Sequence, residues 1–349
     1  MTQDLARTNQ VTVKDVAARA GVSTATVSRV LSGKGGVSQK LEQRVRQAIK
    51  ELDYLPNLAA RRLRERRAKI IGVLVSDIQI PFFASIVVGI EKILQDAGYL
   101  LLLGNTNDNL SDEQKHIGKF LGEDVTGVIF APANSGDTSN YDRLQKSGVA
   151  LVSIDRRPGE LQVDTVEVEN VAASRQAVQH LIQEGHRRIA LISGPERIST
   201  AADRRAGYEM ALQSAGLPVD PDLIQPGEYR EEGGYRAMKA LMESPKPPSA
   251  VLIANNTMAL GALKYLNERN LDIPADVALV AYDDMPWASS LRPPLTVIAQ
   301  PVDEIGTMAA NLMLERIRNP NSSIKHITLE ARLIVRASCS CAYVAQVRS

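Results

Sequence analysis

The chain has 349 residues, enough for two or three domains at roughly 100–200 residues per domain. Hydrophobic residues make up 44% and charged residues 23%, which excludes a disordered or fibrous chain. No apolar run approaches the ~18 residues that span a bilayer, and the polar start lacks a signal-peptide core, so we expect no membrane segment and a cytoplasmic location. Cys339 and Cys341 lack the spacing of a zinc site or a disulfide framework, so we expect free thiols in a C-terminal tail.

The charge is divided unevenly along the chain. Residues 1–67 hold 14 Lys and Arg against 6 Asp and Glu, whereas the remaining 282 residues hold 27 against 34. Ordinary solvated surfaces mix both signs, so a short basic module on a larger acidic body indicates that the module meets a polyanion.

The start of the basic module predicts two short helices joined by a turn. Thr12 caps the first helix with Asp15 three residues on, and Gly21 ends it. Ser23 then caps a second helix over residues 24–31. This arrangement is a helix-turn-helix.

A third helix follows Ser38 and continues to Tyr54. Apolar residues recur in it at helical spacing: Leu41, Val45, Ala48, Ile49 and Leu52. Three short helices with apolar faces make one small hydrophobic core.

The second helix leaves small and basic side chains on its outer face: Thr24, Ala25, Ser28 and Arg29. Side chains of this size can approach base edges in the major groove of DNA, and Arg29 is the candidate base or phosphate contact. A solvated helix face is the alternative interpretation.

Segments in register then resemble the N-terminus of the lactose and galactose repressor (LacI/GalR) family. They are residues 13–23 (VKDVAARAGVS), 26–31 (TVSRVL), which adds Thr26 to the DNA-binding candidates, and 54–63 (YLPNLAARRL). The resemblance implies a DNA-binding headpiece over residues 1–55 and a hinge helix and linker over 56–68.

In that family the hinge helix orders on operator DNA, where paired leucines wedge into the minor groove. The matching residues here are Leu63, with Ala60 beside it, and Asn57. Pro56 suits a helix start, and a wedged apolar side chain kinks a base step. Without DNA so short a helix is marginal, so a charged linker describes the unbound state.

From Ile70 onward, short apolar runs alternate with amphipathic helical stretches, which indicates parallel sheets covered by helices. The predicted strands are residues 70–75, 99–103, 127–130 and 150–153, then 189–192, 250–253 and 277–280. The predicted helices include one ended by Gly98, one opened by a capping box of Ser111 and Gln114, and residues 170–183 and 202–215. The similar helix ends 95–98 and 213–216 hint at repeated lobes.

This body resembles the core of the same family, which is similar to periplasmic sugar-binding proteins. The implied fold class is an N-terminal all-α helix-turn-helix domain plus an α/β core of two doubly wound lobes, residues 69–349. The implied first lobe is about 69–169 and 300–330, and the second about 170–299 and 331–340. The ligand would lie in the cleft, outside the carboxyl ends of the strands.

The resemblance also implies effector-binding positions. Asp155 follows a strand, and Arg204 matches the arginine of the family's Arg-x-x-Gly-aromatic motif. The remaining implied positions are Asn255, Asp283 and Gln300, with Phe82, Phe83 and Trp287 as apolar walls.

Carboxylates accept hydrogen bonds from the vicinal hydroxyls of a sugar, a guanidinium group donates two parallel hydrogen bonds, and an indole ring stacks on the apolar face of a sugar ring. A sugar or sugar derivative is therefore the favoured effector. A purine or nucleoside is the other possibility. Each position also has a structural alternative: a strand-end Asp as a helix cap, Arg204 as a surface ion pair, the Phe pair as core. The family commonly has Asn-Asp where this chain has Asn255 and Asn256, which makes the effector's identity less transferable.

The sequence gives little support to the hypothesis that the protein is an enzyme. Residues 33–36 lack the full phosphate-loop pattern, no Gly-x-Gly-x-x-Gly follows a strand, and the four histidines are scattered. We therefore expect no enzymatic activity and no cofactor or metal. We expect a transcriptional regulator, a repressor, that binds double-stranded operator DNA as a homodimer and whose operator affinity the effector controls. A solute- or sugar-binding protein without regulatory DNA binding is the alternative.

Overall fold

A computed structural model describes residues 11–32, 36–54 and 69–339. The chain separates into two compact units, residues 1–68 and 69–349. The hinge positions Asn57, Ala60 and Leu63, and also Cys341, lie outside the described residues. Within those residues no helix is long and apolar enough to cross a membrane.

The headpiece contains the three predicted helices: α1 (Val13–Ala20), α2 (Thr24–Ser32) and α3 (Gln39–Glu51). The capping box of α1 is present, because the Thr12 backbone N–H donates to Asp15 Oδ2 at 2.7 Å. Gly21 ends α1 at φ 61°, a left-handed conformation that glycine adopts without strain. Residues from all three helices, with Tyr54, form the core: Val16, Ala17, Ala20, Val27, Val45 and Ala48.

The first lobe is a six-stranded parallel sheet in the order β11-β5-β4-β3-β1-β2. Its strands are β1 (Ile70–Val75), β2 (Leu100–Asn105), β3 (Gly127–Phe130), β4 (Ala150–Ile154), β5 (Asp164–Val168) and β11 (His326–Leu329). Its helices are α4 (Pro81–Asp96), α5 (Leu110–Gly122), α6 (Ser139–Lys146) and α11 (Val302–Arg318).

The second lobe is a six-stranded sheet in the order β12-β10-β9-β8-β6-β7, in which only the β10–β12 pair is antiparallel. Its strands are β6 (Ile189–Ser193), β7 (Ile224–Pro226), β8 (Ala250–Ile253), β9 (Ala278–Tyr282), β10 (Thr296–Ala299) and β12 (Arg332–Ile334). Its helices are α7 (Asn170–Gln183), α8 (Ser199–Ser214), α9 (Glu231–Met242) and α10 (Asn256–Glu268), with 3-10 turns at Pro221–Leu223 and Ala288–Ser290.

The strands follow the same order in the sheets of the two lobes. Counting within each lobe, the first five strands lie in the order 2-1-3-4-5, and the chain crosses between lobes after β5, β10 and β11. Gly98 and Gly216 end equivalent helices at φ 77° and 66°. The hint of repeated lobes in the sequence is therefore confirmed at the level of topology.

Local details differ from the sequence prediction at two places. Helix α5 is capped by Asn109, whose Oδ1 accepts from the Ser111 and Asp112 backbone N–H groups, so the Ser111–Gln114 capping box is wrong. Cys339 is not a tail thiol: it is fully buried in the second-lobe core. Its Sγ lies 3.1 Å from His180 Nε2.

Candidate functional site

The outer face of α2 carries the residues predicted to meet DNA. Thr24, Ala25 and Arg29 are exposed, and Thr26 and Ser28 are half-buried. Thr26 already makes local hydrogen bonds with Ser23: its N–H donates to Ser23 Oγ at 3.1 Å, and the two hydroxyl oxygens lie 3.0 Å apart. The exposed positions at the start and middle of a nine-residue helix present one small, basic surface of the size that enters a major groove.

A cavity lies between the carboxyl ends of the two sheets, with about 360 Å³ of empty space when its open mouth is included. The first lobe contributes Ser76, Ile80, Phe82, Phe83, Asp155 and Arg156. The second lobe contributes Thr200, Arg204, Tyr229, Asn255 and Asp283, and Gln300 lines it from the crossover after β10. The structure thus brings together seven of the eight predicted effector positions.

Asp155 and Asp283 occupy equivalent places in the two lobes. Each follows the fourth strand, has a left-handed backbone (φ 62° and 73°), and donates its N–H at 2.9 Å to the neighbouring strand, at Val166 O and Ile298 O respectively. A non-glycine residue in this conformation costs of order 1–3 kcal/mol, which persists where the surroundings fix it. The repeat therefore aims one carboxylate from each lobe into the cleft.

Burial raises the pKa of both carboxyls above their usual range. For Asp155 the guanidinium groups of Arg156 and Arg204 oppose this rise, and the charge of Asp283 adds to it. For Asp283 the charge of Arg204 and the Gln300 hydrogen bond, 2.6 Å from Nε2 to Oδ1, oppose the rise. The two carboxylates and two guanidinium groups therefore interact across one buried site.

Arg204 is held rigidly from the second lobe. Its Nε donates to Asn170 Oδ1 at 2.7 Å and its NH1 to Ala254 O at 2.5 Å. The guanidinium lies over the Tyr282 ring, 3.9 Å from the centroid, and only 4% of the residue is exposed. A planar donor fixed by three neighbours suits recognition of a ligand oxygen, and a surface ion pair is excluded.

Asn255 and the two phenylalanines combine a structural role with a place on the wall. Asn255 Oδ1 accepts from the Met258 N–H at 2.9 Å and so caps α10. Phe82 and Phe83 are buried in the first-lobe core and meet edge to face, with centroids 5.1 Å apart at 76°. Both kinds of role therefore apply at these three positions.

Trp287 is a correction to the sequence prediction. It does not line the cavity, and its half-buried ring packs against the second-lobe core next to the 3-10 turn Ala288–Ser290. Trp287 is therefore close to Asp283 in sequence but is not part of the cavity wall.

Three polar atoms in the cavity wall are buried without a hydrogen-bond partner: Ser76 Oγ, Arg156 Nε and Gln300 Oε1. Only one other such side-chain atom, His186 Nε2, occurs in the part of the chain that the structure describes. Buried polar groups without partners are costly, so their concentration here indicates a place where a ligand supplies the missing bonds.

Sequence reasoning missed several wall residues. Ser76 and Arg156 lie within two residues of the ends of β1 and β4, and the strand-end rule could have found them. Tyr229 comes three residues after the short strand β7, and Thr200 lies in the first turn of α8; their hydroxyls are 3.1 Å apart, and neither residue gave a comparable signal.

Polar contacts also join the lobes at the rim of the cavity. Arg157 NH2 donates to Asp203 Oδ1 at 2.6 Å, and Arg230 NH2 donates to Asn107 O at 2.9 Å.

Among residues 11–32, 36–54 and 69–339, no group of three or more His, Cys, Asp or Glu side chains is placed to hold a metal ion.

Comparison with known proteins agrees with both units. Residues 12–57 match the family described as bacterial regulatory proteins, lacI family, and residues 178–339 match a periplasmic binding protein-like domain. The HTH-type transcriptional repressor CytR of Escherichia coli (strain K12) is 35% identical over 327 residues, covering 94% of this chain and 96% of its own. The chain belongs to the lacI family. The protein is therefore a DNA-binding transcriptional regulator.

Solved structures resemble most of this chain. The transcriptional regulator CelR–cellobiose complex matches with a TM-score of 0.71 and 35% identity, over 94% of this chain and 99% of that chain. The Lac repressor dimer bound to operator and the anti-inducer ONPF matches with a TM-score of 0.84 and 26% identity, over 95% and 100% of the two chains. The predicted fold class, a helix-turn-helix headpiece plus two doubly wound lobes, is confirmed.

Proposed function

We propose that this regulator is a repressor that binds operator DNA as a homodimer and is controlled by a small molecule, with a sugar favoured, held in the cavity between its lobes. The observation that carries the proposal is the cavity itself, where buried carboxylates and guanidinium groups from both lobes surround polar atoms without partners. The cellobiose and operator complexes of the two related structures support it.

The proposed effector sites are Phe82, Phe83, Asp155, Arg204, Asn255, Asp283 and Gln300. Because the walls come from both lobes, a bound ligand contacts both and favours their closed arrangement, which is the condition for coupling to a second site. Residues 56–68 run in sequence directly into β1 of the first lobe. We propose that closure changes how the two hinge segments of a dimer meet the operator.

The proposed DNA contacts are Thr24, Ala25, Thr26, Ser28 and Arg29 of α2, with Asn57, Ala60 and Leu63 of the hinge segment. A homodimer follows from the need to place two recognition helices on two half-sites of a near-palindromic operator. We expect sedimentation velocity to show a dimer at micromolar concentration. A monomer with and without DNA would contradict this assembly.

The main test joins a ligand screen to DNA binding. Thermal shift with sugars, nucleosides and purines identifies ligands, and fluorescence anisotropy with operator DNA then measures whether each ligand changes affinity. If a ligand binds but the protein shows no sequence-specific DNA binding with or without it, the result would instead favour a solute-binding protein. We propose that the regulator has no enzymatic activity, and recovery of unchanged ligand by NMR tests this.

A further inference from the structure

Four hydrogen bonds at the rim of the cavity join the two lobes through neighbouring residues. The Ser135 N–H donates to Arg197 O at 2.9 Å, and the Ser199 N–H donates to Ser135 Oγ at 3.0 Å. Arg157 donates from its N–H to Ser199 Oγ at 2.9 Å and from NH2 to Asp203 Oδ1 at 2.6 Å. We call these four bonds the rim latch.

Every bond of the rim latch crosses from the first lobe to the second. Ser135 follows β3 and Arg157 follows β4, whereas residues 197–203 form the end of the loop after β6 and the start of α8. The chain crosses between the lobes next to β5, β11, β10 and β12, at one edge of each sheet. The rim latch lies away from that edge, so opening the lobes about the crossovers breaks its bonds.

Arg157 is oriented by its own lobe as well as by the opposite one. Its NH1 donates to Glu167 Oε2 at 3.0 Å, so the guanidinium lies between one carboxylate of each lobe. A side chain that is already ordered loses little freedom when a second bond forms. Since 46% of the Arg157 side chain is exposed, water and salt screen its ion pair with Asp203, and the pair is weak enough to open.

The loop that carries Ser135 is fixed from behind by a fully buried carboxylate. Glu113 Oε2 accepts from the Ala133 N–H at 2.9 Å and from the Tyr141 hydroxyl at 2.6 Å, and its Oε1 accepts from Asn140 Nδ2 at 3.1 Å. The rim latch therefore connects the second lobe to a loop that is anchored in the first lobe. Closing or opening the latch moves the lobes and not the loop alone.

Resting on the proposed function, we propose that the rim latch holds the lobes closed through protein groups alone and so sets the fraction of closed molecules on which the effector acts. The apparent affinity of a ligand scales with the fraction of molecules that already have the binding-competent arrangement. The latch therefore strengthens effector binding without touching the effector. It also produces, without a ligand, part of the change in DNA affinity that accompanies closure.

Amide hydrogen exchange of the full-length protein without ligand measures the opening. The reporters are the N–H groups of residue 135 and Arg157, because their acceptors, Arg197 O and Ser199 Oγ, are the same in every variant. Asp203→Ala removes the ion pair between the lobes, and the double variant with Ser135→Ala also removes the acceptor of the Ser199 N–H. After correction for intrinsic rates, the exchange rate of each reporter is proportional to the open fraction.

We expect both reporters to exchange about 2- to 5-fold faster in Asp203→Ala and about 5- to 50-fold faster in the double variant. Glu209→Ala is the matched control. Glu209 Oε1 accepts from Arg205 Nε at 2.7 Å, so this change also removes an arginine–carboxylate pair from α8, but one that lies within a single lobe. Exchange at both reporters should then equal that of wild type.

Two exchange results would overturn the rim latch. One is wild-type exchange at both reporters in the double variant. The other is equal acceleration of the amides inside α8, residues 206–212, because that pattern shows local unfolding of the helix and not a separation of the lobes.

DNA binding tests the regulatory consequence. The probe is a duplex that the wild-type protein selects from a random pool, and fluorescence anisotropy measures its affinity without ligand and with each sugar, nucleoside or purine that binds in thermal shift. We expect the double variant to shift the ligand-free affinity about 2- to 10-fold, in the direction opposite to the shift that a bound ligand causes in wild type.

A shift in the same direction as the ligand's, or no shift where the ligand causes one, would overturn the link between the rim latch and DNA binding. Failure of the proposed function looks different. Wild-type affinity for DNA would then stay constant with every bound ligand, while faster exchange at the two reporters would still support the latch.

Discussion

Replacing Asp283 with Asn tests the cavity with the smallest change in shape. Asn keeps an oxygen for the 2.6 Å bond from Gln300 Nε2 and tolerates the left-handed backbone at φ 73°. The group facing the Asn256 N–H changes, but that bond is long, at 3.4 Å, and its loss costs little. Since burial raises the pKa of Asp283, its charge opposes folding, and we expect the variant's stability not to fall.

We expect the Asp283→Asn variant to lose affinity for the effector. A hydrogen bond to a charged group contributes about 1.5–3 kcal/mol and one between neutral groups about 0.5–1.5 kcal/mol, so exchanging one for the other costs about 1–2 kcal/mol. Effector affinity should therefore fall about 5- to 30-fold for one ligand hydroxyl on this carboxylate. Calorimetric titration gives the dissociation constant, and operator anisotropy gives the effector concentration that produces half of the response.

Asp284→Asn is the matched control. Its carboxylate is next in sequence but pairs with Arg336 NH2 at 2.8 Å, away from the cavity, and a surface pair of this kind contributes at most about 1 kcal/mol to stability. Wild-type effector affinity in Asp283→Asn would refute the assignment of this pocket. Equal losses in both variants would show that the effect does not arise at the cavity wall.

Three further predictions concern DNA binding, packing and pH. Arg29→Ala should weaken operator binding by about 1–3 kcal/mol in fluorescence anisotropy, and unchanged affinity would remove Arg29 from the recognition surface. Gly72→Ala should lower the free energy of unfolding by about 1–3 kcal/mol, because the added Cβ lies 2.5 Å from the Phe120 ring; Gly118→Ala, which meets nothing within 4 Å, should be neutral or stabilising by up to about 1 kcal/mol, and equal denaturation midpoints would contradict this packing. Burial raises the pKa of Asp155, so its contribution to stability is present at acidic pH and lost as pH rises through the raised value; thermal melts between about pH 4 and 7 should show this change in wild type and less of it in Asp155→Asn.

The sequence by itself determined the features that arise from local physics. The capping box at Thr12 and Asp15 and the glycine stop at Gly21 fixed α1, because the groups that satisfy a helix end lie within a few residues of it. Continuous apolar runs fixed strands such as β1 and β8, since strands of a doubly covered parallel sheet are buried on both faces. The carboxylate of Asp155 was found because it directly follows such a strand, whereas Asp283 was found because it matches a pocket position of the family that the sequence resembles.

Only the tertiary structure decided what depends on distant parts of the chain. Strands β5, β7 and β11 are short and partly polar, so it is pairing with a neighbouring strand, rather than their own pattern, that makes them strands. Arg156 became a cavity residue because Asp108, 48 positions away, and Pro132 fix its guanidinium. Trp287 was assigned to the wall and lies elsewhere, because the direction of the chain after a strand is set by packing against the second-lobe core, which no local pattern encodes.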